Sequence, residues 1–284
     1  MSASLRPSAR RAAAVALTVA LGAAGCGQGS EPSKDGKGGG GGGASASAGA
    51  EKGPEARAVA HRLVDGFRSV KAAPSLTIEV SGLNEGDAFT GRIRADDRNE
   101  CVGTVHIAGE GTLKAIRTRD NRVYLQMGED FLKTQMAGEP AAELKAQMEL
   151  FQDRWIAGNT DTKMFRDVFN GCDFAKGLPE MTHDEVGGTE FGAPDIETVV
   201  LNGRKALRIT KKEDGATLRL HVTAEGKAYL LRMEQKGGDE PYSMTFSDFG
   251  EPVRAEKPPA GDIIPREEFA RGGAPGTAGT PSTA

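Results

Sequence analysis

"SLTIEVSGLNEGDAFTGRIRAD", Ser75 to Asp96, is the stretch whose reading decides the fold. Leu76, Ile78 and Val80 alternate with Thr77, Glu79 and Ser81. A period of two puts each set on its own face, so this is a half-buried β-strand. "NEGD", Asn84 to Asp87, is made of turn residues. Phe89, Gly91, Ile93 and Ala95 then share one face of a second strand. Two such runs around a tight turn predict an antiparallel hairpin, buried on one face and wet on the other.

The same pattern continues on both sides. "GTVHIAGEG" places Val105 and Ile107 on one face, and "TLKAIRTRDNRVYLQMGEDFLKTQ" reads as two strands around Arg119 to Arg122, with a short extended piece from Phe131. Later, "IETVVLNGRKALRITKK", "ATLRLHVTAEGKAYLLRMEQKG" and "YSMTFSDFG" add three or four strands. Asn202-Gly203 is a hairpin signal. Before the hairpin, Ala56, Val59, Ala60, Leu63, Val64, Phe67 and Val70 recur three and four apart and predict an amphipathic helix over 55–70. Gly66 is its weak spot, at about 1 kcal/mol. Between the strand blocks, Pro140 to Phe151 and Thr162 to Phe169 predict two further helices. Pro252, Pro258 and Pro259 are expected to end the order. The simplest solution is α+β: one strongly curved antiparallel sheet packed on helices. The two strand blocks could instead form separate sheets.

The N-terminus places the protein. Arg6, Arg10 and Arg11 precede Ala12 to Ala24, which is small or apolar apart from Thr18 and Gly22. Such a helix is about 20 Å long, short of a bilayer core, and has the layout of an export signal. Ala23, Ala24 and Gly25 lead into Cys26. We read residues 1–25 as a lipoprotein signal, cut before Cys26, whose thiol then takes acyl chains; the run resembles a bacterial lipobox with Ala23 where Leu is commoner. Arg10-Arg11 raises twin-arginine export, but no Phe-Leu-Lys-like run follows. Two acyl chains hold a protein stably. Residues 26–54, with six glycines from Gly38 to Gly43, read as a flexible tether. From Cys26 to Ala50 it would reach about 25–30 Å. Residues 55–260 form one expected domain, and 261–284 a disordered Gly/Pro/Thr-rich tail. The expected location is the extracytoplasmic face of the cell membrane.

Composition excludes several classes. The formal charge is −4, and it becomes about −7 without the three arginines of the signal. No basic cluster follows, which argues against nucleic acid. Once Cys26 carries lipid, Cys101 and Cys172 remain, and outside the cytoplasm such a pair is expected to form a disulfide. A loop of that length is worth about 4 kcal/mol. The four histidines, His61, His106, His183 and His221, show no helical metal spacing; His106 and His221 read as exposed sheet residues. No nucleophile elbow, phosphate loop or dinucleotide fingerprint occurs, and "SDFG" at 247–250 lacks every other kinase element. We expect neither enzyme nor cofactor. Phe151, Trp155, Ile156, Met164, Phe165, Val168 and Phe169 fall within 19 positions. They either fill a core or line an apolar cavity, with Trp155, Met164, Phe165 and Phe169 as the candidate lining.

Signal, tether, "VDGFRSVKAAPSLTIEVSG", an insert with "DRW", and "LNGRKALRI", "AEGKAYLLRME" and "FSDFG" together resemble the mycobacterial LprG/LppX group of lipoproteins and its actinobacterial relatives. That group is related in fold to the periplasmic lipoprotein carrier LolA. The resemblance covers roughly 54–259 and contains no catalytic motif. It implies a half-barrel sheet with helices over its concave face, a hydrophobic cavity for acyl chains, and a monomer that binds lipid or lipoglycan at the envelope. The Cys101–Cys172 pair looks more typical of streptomycete-like relatives. The main expectation is therefore a non-enzymatic lipid-binding lipoprotein. The alternative is a structural or protein-interaction lipoprotein with a filled core.

Overall fold

The computed structural model describes residues 52–84, 86–161, 163–178, 180, 182, 195–213, 215–238 and 240–265. The signal, Cys26, nearly all of the expected tether and His183 lie outside the described residues, as does the tail beyond 265.

Helix α1 spans Lys52–Lys71 and so begins inside the expected tether. Val59, Ala60, Leu63, Val64, Phe67 and Val70 are all buried, as their spacing predicts. Arg68 and Lys71 occupy the last turn, where the helix dipole favours cations. Gly66 has a positional reason. A Cβ there would sit 2.9 Å from the Val222 side chain and 3.1 Å from the Leu230 nitrogen. The glycine lets the helix lie close on the sheet, and that packing offsets its low propensity.

Among the described residues, eleven strands form a single antiparallel sheet. They are β1 (Ser75–Asn84), β2 (Asp87–Asp96), β3 (Cys101–Ile107), β4 (Gly111–Arg117), β5 (Val123–Met127), β6 (Trp155–Gly158), β7 (Asp195–Leu201), β8 (Arg204–Glu213), β9 (Ala216–Thr223), β10 (Leu230–Lys236) and β11 (Tyr242–Ser247). Between β5 and β7 come α2 (Glu129–Gln135), α3 (Ala141–Phe151), α4 (Lys163–Phe169) and α5 (Phe174–Gly177). The extended piece expected from Phe131 is α2. Glu129 and Asp130 begin it, which suits a helix N-terminus.

The strand order is β6-β5-β4-β3-β2-β1-β11-β10-β9-β8-β7. β1 and β11 pair from Thr77–Ser247 to Gly82–Tyr242 and join the two strand blocks. The β7–β8 hairpin turns at Asn202 and Gly203, with φ of 49° and 76°, as a type I′ turn requires.

This sheet is not the strongly curved half-barrel of the sequence reading, and its helices cover no deep concave face. β6 and β7 stand at opposite ends of an open order. Sharp curvature needs bulges or kinks repeated across strands. Among the described pairings, one register shift occurs, between Leu230 and Arg232. The class stays α+β, with an open antiparallel sheet and helices on it.

The inner face carries two side-by-side cores. One packs α1 residues such as Leu63 and Val64 against Ile78, Val222, Leu230, Met233, Met244 and Phe246. The other gathers Ile93, Cys101, Leu125, Leu132, Phe151, Ile156, Phe165, Phe169 and Cys172. Burying each large apolar side chain contributes about 1.5–3 kcal/mol.

Beyond β11 the chain becomes a strap. The Gly250 N–H donates to the Ser75 carbonyl at 2.9 Å, and the Ser75 hydroxyl donates to the Glu251 carbonyl at 2.6 Å. Arg94 Nη2 donates to the Pro252 carbonyl at 3.3 Å. At the far end, the Ile264 N–H donates to the Trp155 carbonyl at 2.9 Å, and Ile263 bridges Trp155 in parallel. The strap thus runs over the outer face from β1 to the β6 edge, with Val253 and Ala255 buried. Order therefore passes residue 260.

Candidate functional site

The strand register builds rows of side chains across the outer face, and past the Leu230/Arg232 shift β9 and β10 still pair Arg232 with His221. Arg208, His221, Arg232 and Thr245 face one another in sequence over β8, β9, β10 and β11. The row continues through Glu79, Arg92 and Thr104 on β1, β2 and β3. One step along, Arg219, Glu234, Ser243, Ser81, Thr90 and His106 form a parallel row. Directly opposed side chains stand about 4.5–5.5 Å apart at Cβ, so each row acts as a continuous surface.

A groove of about 500 Å³ lies over the middle of these rows. Its lining includes Ser81, Thr90, Thr104, Ser243 and Thr245, with Glu79, Arg92, His106 and Arg232. Arg92 donates to Glu79 at 2.6 Å and pairs with Asp248 at 3.5 Å; Asp248 is fixed by the Thr77 hydroxyl at 2.7 Å. Arg232 Nε donates to the Ser243 hydroxyl at 3.1 Å. This surface can bind polar or charged groups. Among the described residues no three His, Cys, Asp or Glu side chains gather where a metal could be held. No described helix is long and apolar enough to cross a membrane.

Beside the groove the charge is dense. Glu234 lies near Arg219 at 3.8 Å, Arg232 at 3.9 Å and Lys236 at 3.4 Å. Arg208 pairs with Glu197. His221 sits between Arg208 and Arg232 and is only 6% exposed, not the exposed sheet histidine of the sequence reading. Burial pushes its pKa down, helped by Arg232, Arg208 and Arg219 and opposed by Glu234. Strand alternation correctly placed His221 on the outer face. Its burial gave no signal in the alternation, because it depends on the cross-strand neighbours Arg208 and Arg232. His106 is exposed and meets the Thr112 hydroxyl at 3.1 Å.

Two of the four expected cavity residues, Phe165 and Phe169, lie together in one core, and Trp155 lies on the other sheet face. Phe165 and Phe169 are 5% and 2% exposed, within the second core. Ile156 and Gly158 of β6 face that core, and a Cβ on Gly158 would run into the Phe165 ring. Trp155 points to the other face, opposite Gln126, and is half-buried. The side chain of Met164 lies outside the described residues.

The Cys101 and Cys172 sulfurs lie 2.07 Å apart, with Cα atoms at 5.9 Å. An ion pair that sequence reading missed doubles this junction. Arg117, the cross-strand partner of Cys101, forks onto the carboxylate of Asp173, the chain neighbour of Cys172, at 2.7 and 3.1 Å. Arg117 Nε also donates to the Asn99 carbonyl at 2.9 Å. Burial would raise the Asp173 pKa, but Arg117 and Lys176 outweigh it and hold the carboxyl below its ordinary value.

No family model matches the chain, and no curated protein matches it. Among solved structures it is similar to LprF from Mycobacterium bovis, at 15% identity and TM-score 0.45, over 72% of this chain and 97% of that one. It is also similar to lipoprotein LppX from Mycobacterium tuberculosis, at 11% identity and TM-score 0.42, over 70% and 98%. A weaker likeness, TM-score 0.27 at 13% identity, is to the Pseudomonas aeruginosa MucA/MucB complex, over 69% of this chain and 58% of that one. At TM-scores below 0.5 these likenesses assign no function to this chain.

Proposed function

We propose that this protein is a lipid-anchored, extracytoplasmic lipoprotein held to the membrane through Cys26, whose domain is a non-catalytic, monomeric interaction module of the cell envelope. One observation carries the interaction reading. The surface recess described above is lined mostly by hydroxyl-bearing and charged residues and lies on the outer sheet face, whereas Phe165 and Phe169 belong to a core. The apolar run before Cys26 and the glycine-rich stretch after it support the anchor. A tether of about 25–30 Å keeps the domain near the membrane yet free to turn either sheet face to a partner. Binding of a lipid within the domain was the main sequence-based expectation. Trp155 and Phe165, on opposite sheet faces, favour the interaction module instead.

Two measurements test this. Fractionation of cells expressing the full chain should find it with membranes, with acyl mass on Cys26; a soluble, unacylated product overturns the anchor. Native mass spectrometry of the chain from residue 27, after incubation with envelope lipids, should show the bare protein mass. A stoichiometric lipid adduct that leaves on organic extraction would overturn the interaction reading in favour of a lipid carrier.

A further inference from the structure

We propose that the outer face of β8–β10 is a binding site for an oxyanion, a phosphate- or sulfate-type group, held by Arg208, Arg219 and Arg232 around His221. It goes beyond the interaction reading, because the ligand class follows from the site's own donors and needs no protein partner.

The register makes the site. His221 is directly opposite Arg208 on one side and Arg232 on the other. Arg219 is two residues earlier on β9, so it shares their face. Three arginines therefore neighbour one histidine on this face, and each charge acts on its imidazole. Like charges so placed repel, and neighbouring carboxylates only partly relieve them. Glu234 stands 3.8 and 3.9 Å from Arg219 and Arg232, too far for hydrogen bonds. These arginines keep N–H donors that Glu234 does not use. Glu197 engages Arg208 through Nη2.

A second, independent observation points to a ligand. Two buried nitrogens here have no hydrogen-bond partner among the described residues: His221 Nδ1 and Arg208 Nε. His221 as a whole is more than nine-tenths buried. Leaving a buried polar atom unpaired costs free energy. An oxyanion has acceptor lone pairs to satisfy both nitrogens, and its charge offsets the arginines. Arg232 also lines the neighbouring groove with Ser243 and Thr245, so a polar substituent on the anion has hydroxyls beside it. The anion would also favour the imidazolium form of His221. Binding should then tighten as pH falls toward 5, with Arg232, Arg208 and Arg219 opposing protonation and Glu234 favouring it, while Glu197 and Lys236 stand on the neighbouring strand positions of the same face.

The test uses the isotope-labelled chain from residue 27 to 284, which keeps every described element. Sodium sulfate, whose charge is constant between pH 5 and 8, is titrated against sodium chloride of equal ionic strength and followed by NMR. We expect a saturable shift centred on the His221 ring and the Nε signals of Arg208, Arg219 and Arg232, with the His221 titration midpoint moving upward. Arg219→Gln and Arg232→Gln should each weaken sulfate at least tenfold, while Lys114→Gln, on the same face at β4, should leave it unchanged. Shifts equal to those in chloride, or spread over surface cations, overturn the proposal even if a variant fails to fold. The source is separated with vesicles. Retention on phosphatidylglycerol but not phosphatidylcholine vesicles, lost with Arg232→Gln, identifies a lipid headgroup. Sulfate binding without such retention identifies a soluble oxyanion.

Discussion

Tyr124 and His221 lie on the same face of one sheet and both are buried, but by different means. Tyr124 is 2% exposed near the β6 edge, in the half of the sheet crossed by the 251–264 strap. His221 is 6% exposed, with arginines as its cross-strand partners on both sides. The strap brings backbone groups that hydrogen-bond to Ser75, Arg94 and Trp155. His221 Nδ1 and Arg208 Nε have no hydrogen-bond partner among the described residues. Burial by chain closes a surface; burial among charged side chains leaves donors available. The half tied by the disulfide and the strap therefore reads as structure, and the β8–β10 half as the working face.

Substitutions can break or sharpen that contrast. The largest effect is expected from Cys101→Ser with Cys172→Ser, at about 4 kcal/mol for a loop of this length. A thermal melt with intact mass under non-reducing conditions checks it, and an unchanged Tm means the pair does not hold the fold. Phe169→Ala in the second core should cost about 3–4 kcal/mol, and Phe246→Ala in the first a similar amount. Calorimetry should show one transition moving in both variants, because one sheet links the cores. Two transitions moving separately would split the halves into independent units.

Val253→Asp should cost about 2 kcal/mol by burying an unpaired carboxylate under the strap. Trp155, the only tryptophan, is bridged by the strap, so its emission should move to the red. Unchanged emission and stability would mean the strap does not close the outer face. Arg117→Gln should cost about 1–2 kcal/mol. The Asp173 carboxyl is held below its ordinary value, so its contribution is full above that value and lost as pH falls through the folded one. Wild type should lose Tm in that acid range more steeply than Arg117→Gln, and parallel profiles would remove Asp173 from the junction.

The smallest effect is at His221. Its folded pKa is below the ordinary 6.5, so its contribution is full above that pH and falls away in acid. His221→Gln should change stability at pH 7.5 by about 0.5 kcal/mol or less and remove the corresponding acid step in chloride buffer. A retained step would assign it to another group.

Local chemistry was readable. The alternation of Ser75 to Asp96, the periodicity of α1 and the Asn202-Gly203 turn depend on neighbours in sequence, and each stands in the structure as its residues predict. Where an element was short, local signals misled: Phe131 and Leu132 suited a strand as well as a helix, and acidic residues at the helix start decided. Pro252, Pro258 and Pro259 do not end the order: the chain continues past them into a short 3-10 turn at Ala260–Asp262 and a bridge at Ile263. Proline has no N–H to donate, and here that suits a strap that crosses strands instead of joining them.

By itself, then, the sequence determined the longer strands and helix α1 and which residues on each are apolar, because those preferences act over a few residues; the short α2, β6 and α5 were not readable from it. Only the tertiary structure decided that β1 pairs with β11 to make one open sheet, that Trp155 and Phe165 lie on opposite faces, and that three arginines neighbour His221. Each of these depends on which strands become neighbours, a choice made by contacts far apart in the chain.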